Sequence, residues 1–300
     1  MCYICKHFIM KKSIYHILLF SVITILFSCN ENKVYDSTGK EKIKRFNFTI
    51  GKFNKLVKST DMEAKYAAAV AYFEKENYTR ALALFEELMS VYRGTAKAEE
   101  IHFYYAYCNY NTDDFIIAGY HFRQFVRTYP TSKHTEECAY MNAYCFYLTS
   151  PEYSLDQIDT KLAIKEFQKF TNQYPKSDKI PKCNEILDEL RAKLERKAYE
   201  TAKLYYNMSD YKASVASFDN FIKDFPGSNH VEELTYLSIK SYYLLALNSI
   251  EAKKQERFKA AVDLYLKFVA SNPKSNYLTQ AEIIYTSSLK QLEKYNKQNL

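Results

Sequence analysis

The sequence predicts an all-α protein built as a stack of helical hairpins, and three observations support this prediction. One pattern of a small residue, an aromatic residue four positions later and a bulky apolar residue three positions after that occurs five times. The small residues of successive copies are 37, 45, 51 and 47 positions apart, which is a spacing typical of helical-hairpin repeats. The 300 residues include only five Gly, six Pro and no Trp, which favours much helix and few loops.

The repeated pattern predicts which residues form the core. Offsets of four and three residues place the side chains on one stripe of a helix. We expect the small residue to let two helices approach closely and the aromatic residues to fill the seam to the next hairpin. The five sets are Ala81, Phe85, Leu88; Ala118, Phe122, Phe125; Ala163, Phe167, Phe170; Ser214, Phe218, Phe221; and Ala261, Tyr265, Phe268.

A short connection closes each repeat. Proline ends a helix because its ring cannot be accommodated in a helix interior. A hydroxyl residue two positions later is expected to cap the next helix, because its oxygen can accept from the unpaired amides of the first turn. In the first copy Arg93 occupies the proline position, and Gly94-Thr95 replaces the connection. The other four copies carry Pro130 and Ser132, Pro175 and Ser177, Pro226 and Ser228, and Pro273 and Ser275.

The N-terminal part of the chain predicts secretion. Lys11 and Lys12 precede an apolar run over residues 14–27, which is shorter than the ~20 residues that a membrane-spanning helix needs. Residues 1–28 are therefore predicted to be a signal peptide, with the true start at Met10.

The end of the apolar run, Leu26-Phe27-Ser28-Cys29, resembles the lipobox of bacterial lipoproteins. The resemblance implies that Cys29 receives acyl chains such as palmitate and becomes the new N-terminus; the alternative is that Cys29 is one more buried residue. Several acyl chains would hold the protein on a membrane without spanning it. Residues 29–60 are polar and predict a flexible tether, and residues 61–295 predict a five-repeat α-solenoid whose first helix is capped by Asp61.

Charge and cysteine content exclude several classes of function. The net charge of +7 comes from interspersed acids and bases, as in residues 185–200, which is typical of solvated helix faces and not of a nucleic-acid site. Cys138 and Cys145 lie seven residues apart on one predicted helix, too far for a disulfide. Cys108 and Cys145 are predicted to face the core. The cysteines and histidines lack metal-site spacing, so we expect neither metal nor cofactor.

The sequence also predicts that the protein is not an enzyme. It contains no nucleophile elbow, phosphate-binding loop or metalloprotease motif. His102 and His121 lie on different predicted helices, so a catalytic cluster would need tertiary proximity. Asp113 and Asp114 follow a helix end and are interpreted as turn residues.

The pattern of Ala, Phe, Phe and Pro resembles the tetratricopeptide repeat, although the Trp and Gly of that family's first helix are absent. With the lipobox, and with the stretches over residues 129–132, 139–147, 163–177 and 190–211, the chain resembles the BamD family of outer-membrane assembly lipoproteins. The resemblance implies a right-handed superhelical stack of about five tetratricopeptide-like hairpins on the periplasmic side of the outer membrane. Its implied partners are the barrel insertase, through its periplasmic domains, and unfolded outer-membrane proteins.

Two alternative functions share this architecture. One is a helical repeat lipoprotein that captures glycans for an outer-membrane transporter, although such proteins are much larger and carry long inserted binding regions. The other is a scaffold of motility or cell-wall machinery. The sequence leaves open which repeats contact which partner, the signal recognised in a substrate, the oligomeric state and whether the protein is exposed at the cell surface.

Overall fold

A computed structural model of the protein describes residues 44–298, with side chains from 51 to 295. The predicted signal peptide, Cys29 and the first part of the predicted tether lie outside the described residues. The described part consists of twelve α-helices and contains no strand. The helices are α1 Lys44–Val57, α2 Met62–Glu74, α3 Tyr78–Val91, α4 Ala98–Asn111, α5 Phe115–Thr128, α6 Thr135–Thr149, α7 Ile158–Gln173, α8 Ile180–Asn207, α9 Tyr211–Asp224, α10 Val231–Leu247, α11 Glu251–Ser271 and α12 Leu278–Gln298.

The contacts divide the chain between Ala69 and Val70 into an N-terminal unit and a larger C-terminal unit. The N-terminal unit contains α1, so residues 44–57 of the segment predicted as a tether form a helix. The apolar residues at 46, 50, 53 and 57 recur at helical spacing among the basic residues, a pattern that the overall polarity of the segment obscured. Helix α2 begins as predicted, with the Asp61 Oδ1 atom accepting from the Ala64 amide at 3.0 Å.

The C-terminal unit is a stack of helical hairpins. The five pattern-bearing helices are α3, α5, α7, α9 and α11, and they alternate with α2, α4, α6, α8, α10 and α12. From α3 onward each helix packs against the next one in the chain, and α10 also contacts α12. From α4 to α11 the helices therefore form four hairpins, with α3 before them and α12 after them.

The pattern residues line the seams between helices. All but one are at most 2% exposed, and Ser214 among them donates a hydrogen bond from its hydroxyl to the Asp210 carbonyl at 2.7 Å. The exception is Tyr265, which is half-buried and stacks on Tyr285 of α12 with ring centroids 4.4 Å apart. Its position near the end of the stack, with only one helix following, explains this difference. The buried residues are Ala81, Phe85, Leu88, Ala118, Phe122, Phe125, Ala163, Phe167, Phe170, Ser214, Phe218, Phe221, Ala261 and Phe268.

Helix α8 connects two hydrophobic clusters. Its first half contributes Ile186 and Leu190 to a cluster with α6 and α7. Its second half contributes Ala202 to a cluster with α9, α10, α11 and α12. The charged residues among 191–197, which lie between these halves, pack into neither cluster. The extra length that the sequence shows at this point is thus a continuous helix shared by two hairpins.

The predicted serine caps do not form, and each serine instead makes a turn directly before the next helix. The hydroxyl oxygen of each serine accepts a hydrogen bond from the backbone amide two residues later, at 3.0 to 3.2 Å, and the following helix starts within three residues of the serine. Thr95 differs, because its hydroxyl instead donates to the Tyr92 carbonyl at 2.7 Å. The four serines that make this turn are Ser132, Ser177, Ser228 and Ser275.

Asp113 and Asp114 are turn residues, as predicted. Asp113 has a φ of 61°, and the Asp114 side chain caps α5 by accepting from the Ile117 amide at 3.3 Å. The same left-handed step occurs at Glu76 and Ser209, each directly before the cap residue of the second helix of its hairpin.

The loop over residues 150–157 is held against α8. Lys193 donates to the Ser150 hydroxyl at 2.9 Å, Lys197 donates to the Leu155 carbonyl at 2.5 Å, and the Arg196 guanidinium lies 4.0 Å from the Tyr153 ring centroid. These cations occupy neighbouring positions on one face of α8. The loop between α6 and α7 is therefore fixed to the helix that follows α7.

Candidate protein-binding surface

Half-buried aromatic residues form a stripe on helices α4, α6, α8 and α10. On α4 and α6 the stripe occupies positions i, i+4 and i+7, which lie on one helix face. Its rings contact one another, with centroids 4.8 Å apart for Phe103 and Tyr107 and 5.7 Å apart for Tyr140 and Tyr144. We call this set the aromatic stripe; it contains the half-buried Phe103, Tyr107, Tyr110, Tyr140, Tyr144, Tyr147, Tyr199, Tyr206 and Tyr243 and the buried Tyr236.

Tyrosine hydroxyls of the stripe join successive first helices of the hairpins. Tyr107 on α4 donates to Glu137 on α6, and the Tyr147 hydroxyl on α6 donates to Glu189 on α8 at 2.8 Å. The Tyr199 hydroxyl on α8 donates to Glu233 on α10, also at 2.8 Å. Burial and the Glu137 carboxylate together raise the pKa of Tyr107 far above its ordinary value. These hydroxyls therefore stay protonated and act as donors that fix the spacing of the helices.

The stripe changes character between α6 and α8. The middle position that Tyr107 and Tyr144 occupy in the earlier helices is taken by Lys203 on α8 and Lys240 on α10. Lys203 lies 3.0 Å from the Glu233 carboxylate and 2.9 Å from the Tyr199 hydroxyl. Hydrogen bonds to Tyr199 and Glu233 raise the pKa of Lys203, so its charge is fixed. The middle position of the stripe is thus aromatic on α4 and α6 and cationic on α8 and α10.

Such a surface suits contact with another polypeptide. Tyrosine combines a large apolar ring with a polar hydroxyl, and it is enriched at protein interfaces for this reason. The repeated sequence pattern lies on the second helix of each hairpin. It therefore did not indicate the aromatic stripe, which lies on the first. The signal was the i, i+4, i+7 spacing of aromatic residues in Phe103 to Tyr110 and Tyr140 to Tyr147.

The structure brings His102 and His121 together, although they lie on different helices. The His121 Nδ1 and His102 Nε2 atoms are 3.3 Å apart, and both rings pack among aromatic side chains. Burial, with a smaller contribution from His121, lowers the pKa of His102 to about 4. Burial also lowers the pKa of His121. The pair is therefore neutral at pH 7 and serves as a packed hydrogen-bonded contact.

The four cysteines of the helical stack are buried and unpaired within the described residues. Cys108 and Cys145 lie in the core, as predicted, and burial raises the pKa of each thiol to about 12. Over residues 51–295 no group of three or more His, Cys, Asp or Glu residues is arranged to hold a metal ion. In the same part of the chain no helix is both long and apolar enough to cross a membrane.

Repeated hairpins, buried pattern residues and an aromatic stripe define a helical-repeat protein of the tetratricopeptide type, a class that presents extended surfaces to other proteins. The chain matches the YfiO family of outer membrane lipoproteins over residues 58–258 and again over residues 196–295. These matches cover more than half of the chain, and the protein belongs to this family.

Curated relatives carry one shared name. The chain is 22% identical to the outer membrane protein assembly factor BamD of Pasteurella multocida over 218 residues, which is 69% of this chain and 84% of the relative. It is 22% identical over 242 residues to BamD of Neisseria meningitidis, covering 77% and 87% of the two chains. BamD of Rickettsia prowazekii is 20% identical over 189 residues, covering 63% and 75%.

Solved structures with some similarity are also helical-repeat domains. The TPR domain of P58(IPK) gives a TM-score of 0.38 at 13% identity, covering 79% of this chain and 68% of that domain. The TPR2AB domain of yeast Sti1, in its pHSP90 complex, gives a TM-score of 0.35 at 12% identity, covering 76% and 98%. The assignment of the fold rests on the helices of this chain and not on these similarities.

Proposed function

We propose that this protein is a lipid-anchored scaffold of the machinery that assembles β-barrel proteins into the outer membrane. The observation that carries the proposal is the family match across residues 58–295, together with relatives named as assembly factors over three quarters or more of their length. The role needs no catalytic group. It needs a rigid surface that holds two other polypeptides close together.

The aromatic stripe supplies that surface. The part on α4 and α6 suits unfolded chains, because the rings of Tyr110 and Tyr144 can contact apolar residues of such a chain while their hydroxyls pair with its exposed main chain. The charged part on α8 and α10, with Lys203 and Glu233, suits a folded domain whose charges have fixed positions. We infer that incoming barrel proteins bind the first part and that the barrel insertase, through its periplasmic domains, binds the second.

The proposed anchor is the Cys29 thiol. Acylation there would hold the protein on the periplasmic side of the outer membrane by buried methylene groups alone. Cys29→Ser should move the protein from the membrane fraction to the soluble periplasmic fraction. Cys5→Ser, upstream of Met10, should leave it on the membrane. A Cys29→Ser protein that stays on the membrane would show that another feature anchors it.

Depletion of the protein tests the proposed function. Quantitative proteomics of the outer membrane should then show loss of several barrel proteins while other lipoproteins persist. Re-expression of the wild type should restore them. Unchanged barrel proteins, with defects confined to glycan uptake, motility or the cell wall, would refute the proposal.

The stripe is tested separately by crosslinking to a nascent barrel protein. Tyr110→Ala with Tyr144→Ala should reduce the crosslinked yield. Tyr153→Ala, in the loop held by α8, removes a tyrosine outside the stripe and should leave the yield unchanged. Equal crosslinking by all of these proteins would mean that the stripe does not contact substrate.

A further inference from the structure

A groove follows helix α5 where α5, α6 and α7 meet. One end is a cavity of about 260 Å³, lined mainly by apolar side chains such as Phe115 and Phe146 and by Gly119. The other end is a cavity of about 100 Å³, lined by residues that include Val126, Asn142 and Phe170. Arg123 lines both cavities, so they adjoin at this side chain. This groove is separate from the aromatic stripe.

The apolar end of the groove carries exposed side chains that a folded helix normally covers. Ile116 is 79% exposed and Tyr120 is 54% exposed, and both line the larger cavity. Gly119 lies between them on α5 and also lines this cavity. An apolar side chain from another molecule would gain contacts with all three residues.

The centre of the groove holds a buried donor and a buried acceptor without partners. Asn142 is 4% exposed, and its Nδ2 atom donates to the Glu166 Oε2 atom at 3.0 Å, which fixes the orientation of the amide. The Asn142 Oδ1 atom then accepts from no group in the described residues, and the Arg123 Nε atom likewise has no acceptor there. Buried polar groups are normally paired, so this juxtaposition needs an explanation.

We propose that this groove binds an extended segment of unfolded polypeptide, with one main-chain amide between Arg123 and Asn142 and an apolar side chain in the larger cavity. The Arg123 Nε–H group donates to the carbonyl oxygen of the segment, and the N–H group of the segment donates to Asn142 Oδ1. A phosphate or carboxylate supplies acceptors only and would leave Asn142 Oδ1 unpaired. The donor and acceptor pair therefore selects a peptide group.

The length of the groove fits a short extended segment. From Phe115 to Arg127 the helix rises by about 18 Å, which corresponds to roughly five residues of extended chain. Arg127 and Lys169 are exposed and line the smaller cavity, so they can swing aside to admit the segment to the covered atoms. The choice of substrate rests on the proposed function, because strands of unfolded barrel proteins alternate apolar and polar residues.

The test uses the mature chain and a fluorescein-labelled peptide of seven residues that alternates threonine with valine or phenylalanine. A series of analogues replaces each amide in turn by an ester, which removes one N–H donor. Fluorescence anisotropy should show one ester position that weakens binding about tenfold, the size expected for one buried hydrogen bond. With Asn142→Ala the same ester should bind as well as the amide peptide. Arg123→Met should weaken every peptide about tenfold, while Arg191→Met, on the exposed face of α8, should bind as the wild type does.

Circular dichroism of each variant checks that it folds, and a second measurement needs no change at the polar site. A photo-crosslinking amino acid at Ile116 should capture the peptide, while the same amino acid at Ile283 on α12 should not. Equal binding of all esters by the wild type, undiminished binding by Arg123→Met, or capture of a second copy of the chain at Ile116 would overturn the proposal. If the peptide fails to bind but depletion removes barrel proteins, the proposal for the groove is wrong and the proposed function stands. If the peptide binds but depletion leaves the barrel proteins unchanged, the proposed function is wrong and the proposal for the groove stands.

Discussion

Substitution of Gly119 by alanine tests how closely α5 and α6 pack. A Cβ atom at Gly119 would lie 3.1 Å from the Cβ atom of Cys145 and 3.9 Å from the Asn142 carbonyl oxygen. The Cys145 Cβ atom is bonded to the backbone and cannot rotate away, so the helices must separate by a few tenths of an ångström. Alanine gains about 1 kcal/mol of helix propensity, but overpacking a close seam costs roughly 1 to 3 kcal/mol. We expect Gly119→Ala to lower the free energy of unfolding by about 1 kcal/mol.

The assay is urea denaturation of the mature chain, followed by circular dichroism. The matched control is Gly227→Ala, in the connection before α10, where no atom lies within 4 Å of the added Cβ atom. That substitution should be neutral or stabilise by up to about 1 kcal/mol, because alanine restricts the unfolded chain. If Gly119→Ala is as stable as Gly227→Ala, the two helices are not in close contact and the reasoning about this seam fails.

Three further predictions concern the core, the histidine pair and a turn. Phe218→Ala should cost about 3 to 5 kcal/mol, because Phe218 is fully buried; a melting temperature within a degree or two of the wild type would contradict this. The lowered folded-state pKa of His102, about 4 against an ordinary 6.5, means that the unfolded chain binds the proton more strongly. Stability should therefore be retained above pH 6.5 and should fall by about 2 kcal/mol between pH 7 and pH 5. In His102→Gln this loss should shrink, and an unchanged pH dependence of the urea midpoint would show that the pair is not responsible. Ser209→Gly should raise the free energy of unfolding by about 0.5 kcal/mol, because glycine adopts the φ of 62° without strain. The urea midpoint should rise accordingly, and a lower midpoint would contradict this.

The sequence predicted the parts of the fold that depend on local spacing. The aromatic residues of each repeat face the core because their spacing places them on the same face of a helix. Examples are Phe122 with Phe125 and Phe218 with Phe221. A hydrogen bond at each of the four serines was predicted with the wrong partner, because each serine lies three residues before its helix and accepts from the amide two residues later. Residues 44–57, within the segment predicted as a tether, form a helix on widely spaced apolar residues that the polarity of the segment obscured.

The candidate sites were harder to predict because they depend on tertiary contacts. The bond from Tyr147 to Glu189 joins residues 42 positions apart, and neither residue type signals the other. Arg123 and Asn142 are ordinary helix residues in the sequence. Only the packing of three helices leaves their Nε and Oδ1 atoms buried and unpaired.

The most direct test of the central claim is mass spectrometry of proteins that co-purify with a C-terminally tagged copy from mildly crosslinked cell envelopes. A scaffold for barrel assembly should recover a barrel protein with tandem periplasmic domains together with unfolded barrel proteins, and Cys29→Ser should reduce both. Recovery of a glycan transporter, a motility complex or cell-wall enzymes in their place would contradict the proposed function and leave only the shared helical architecture.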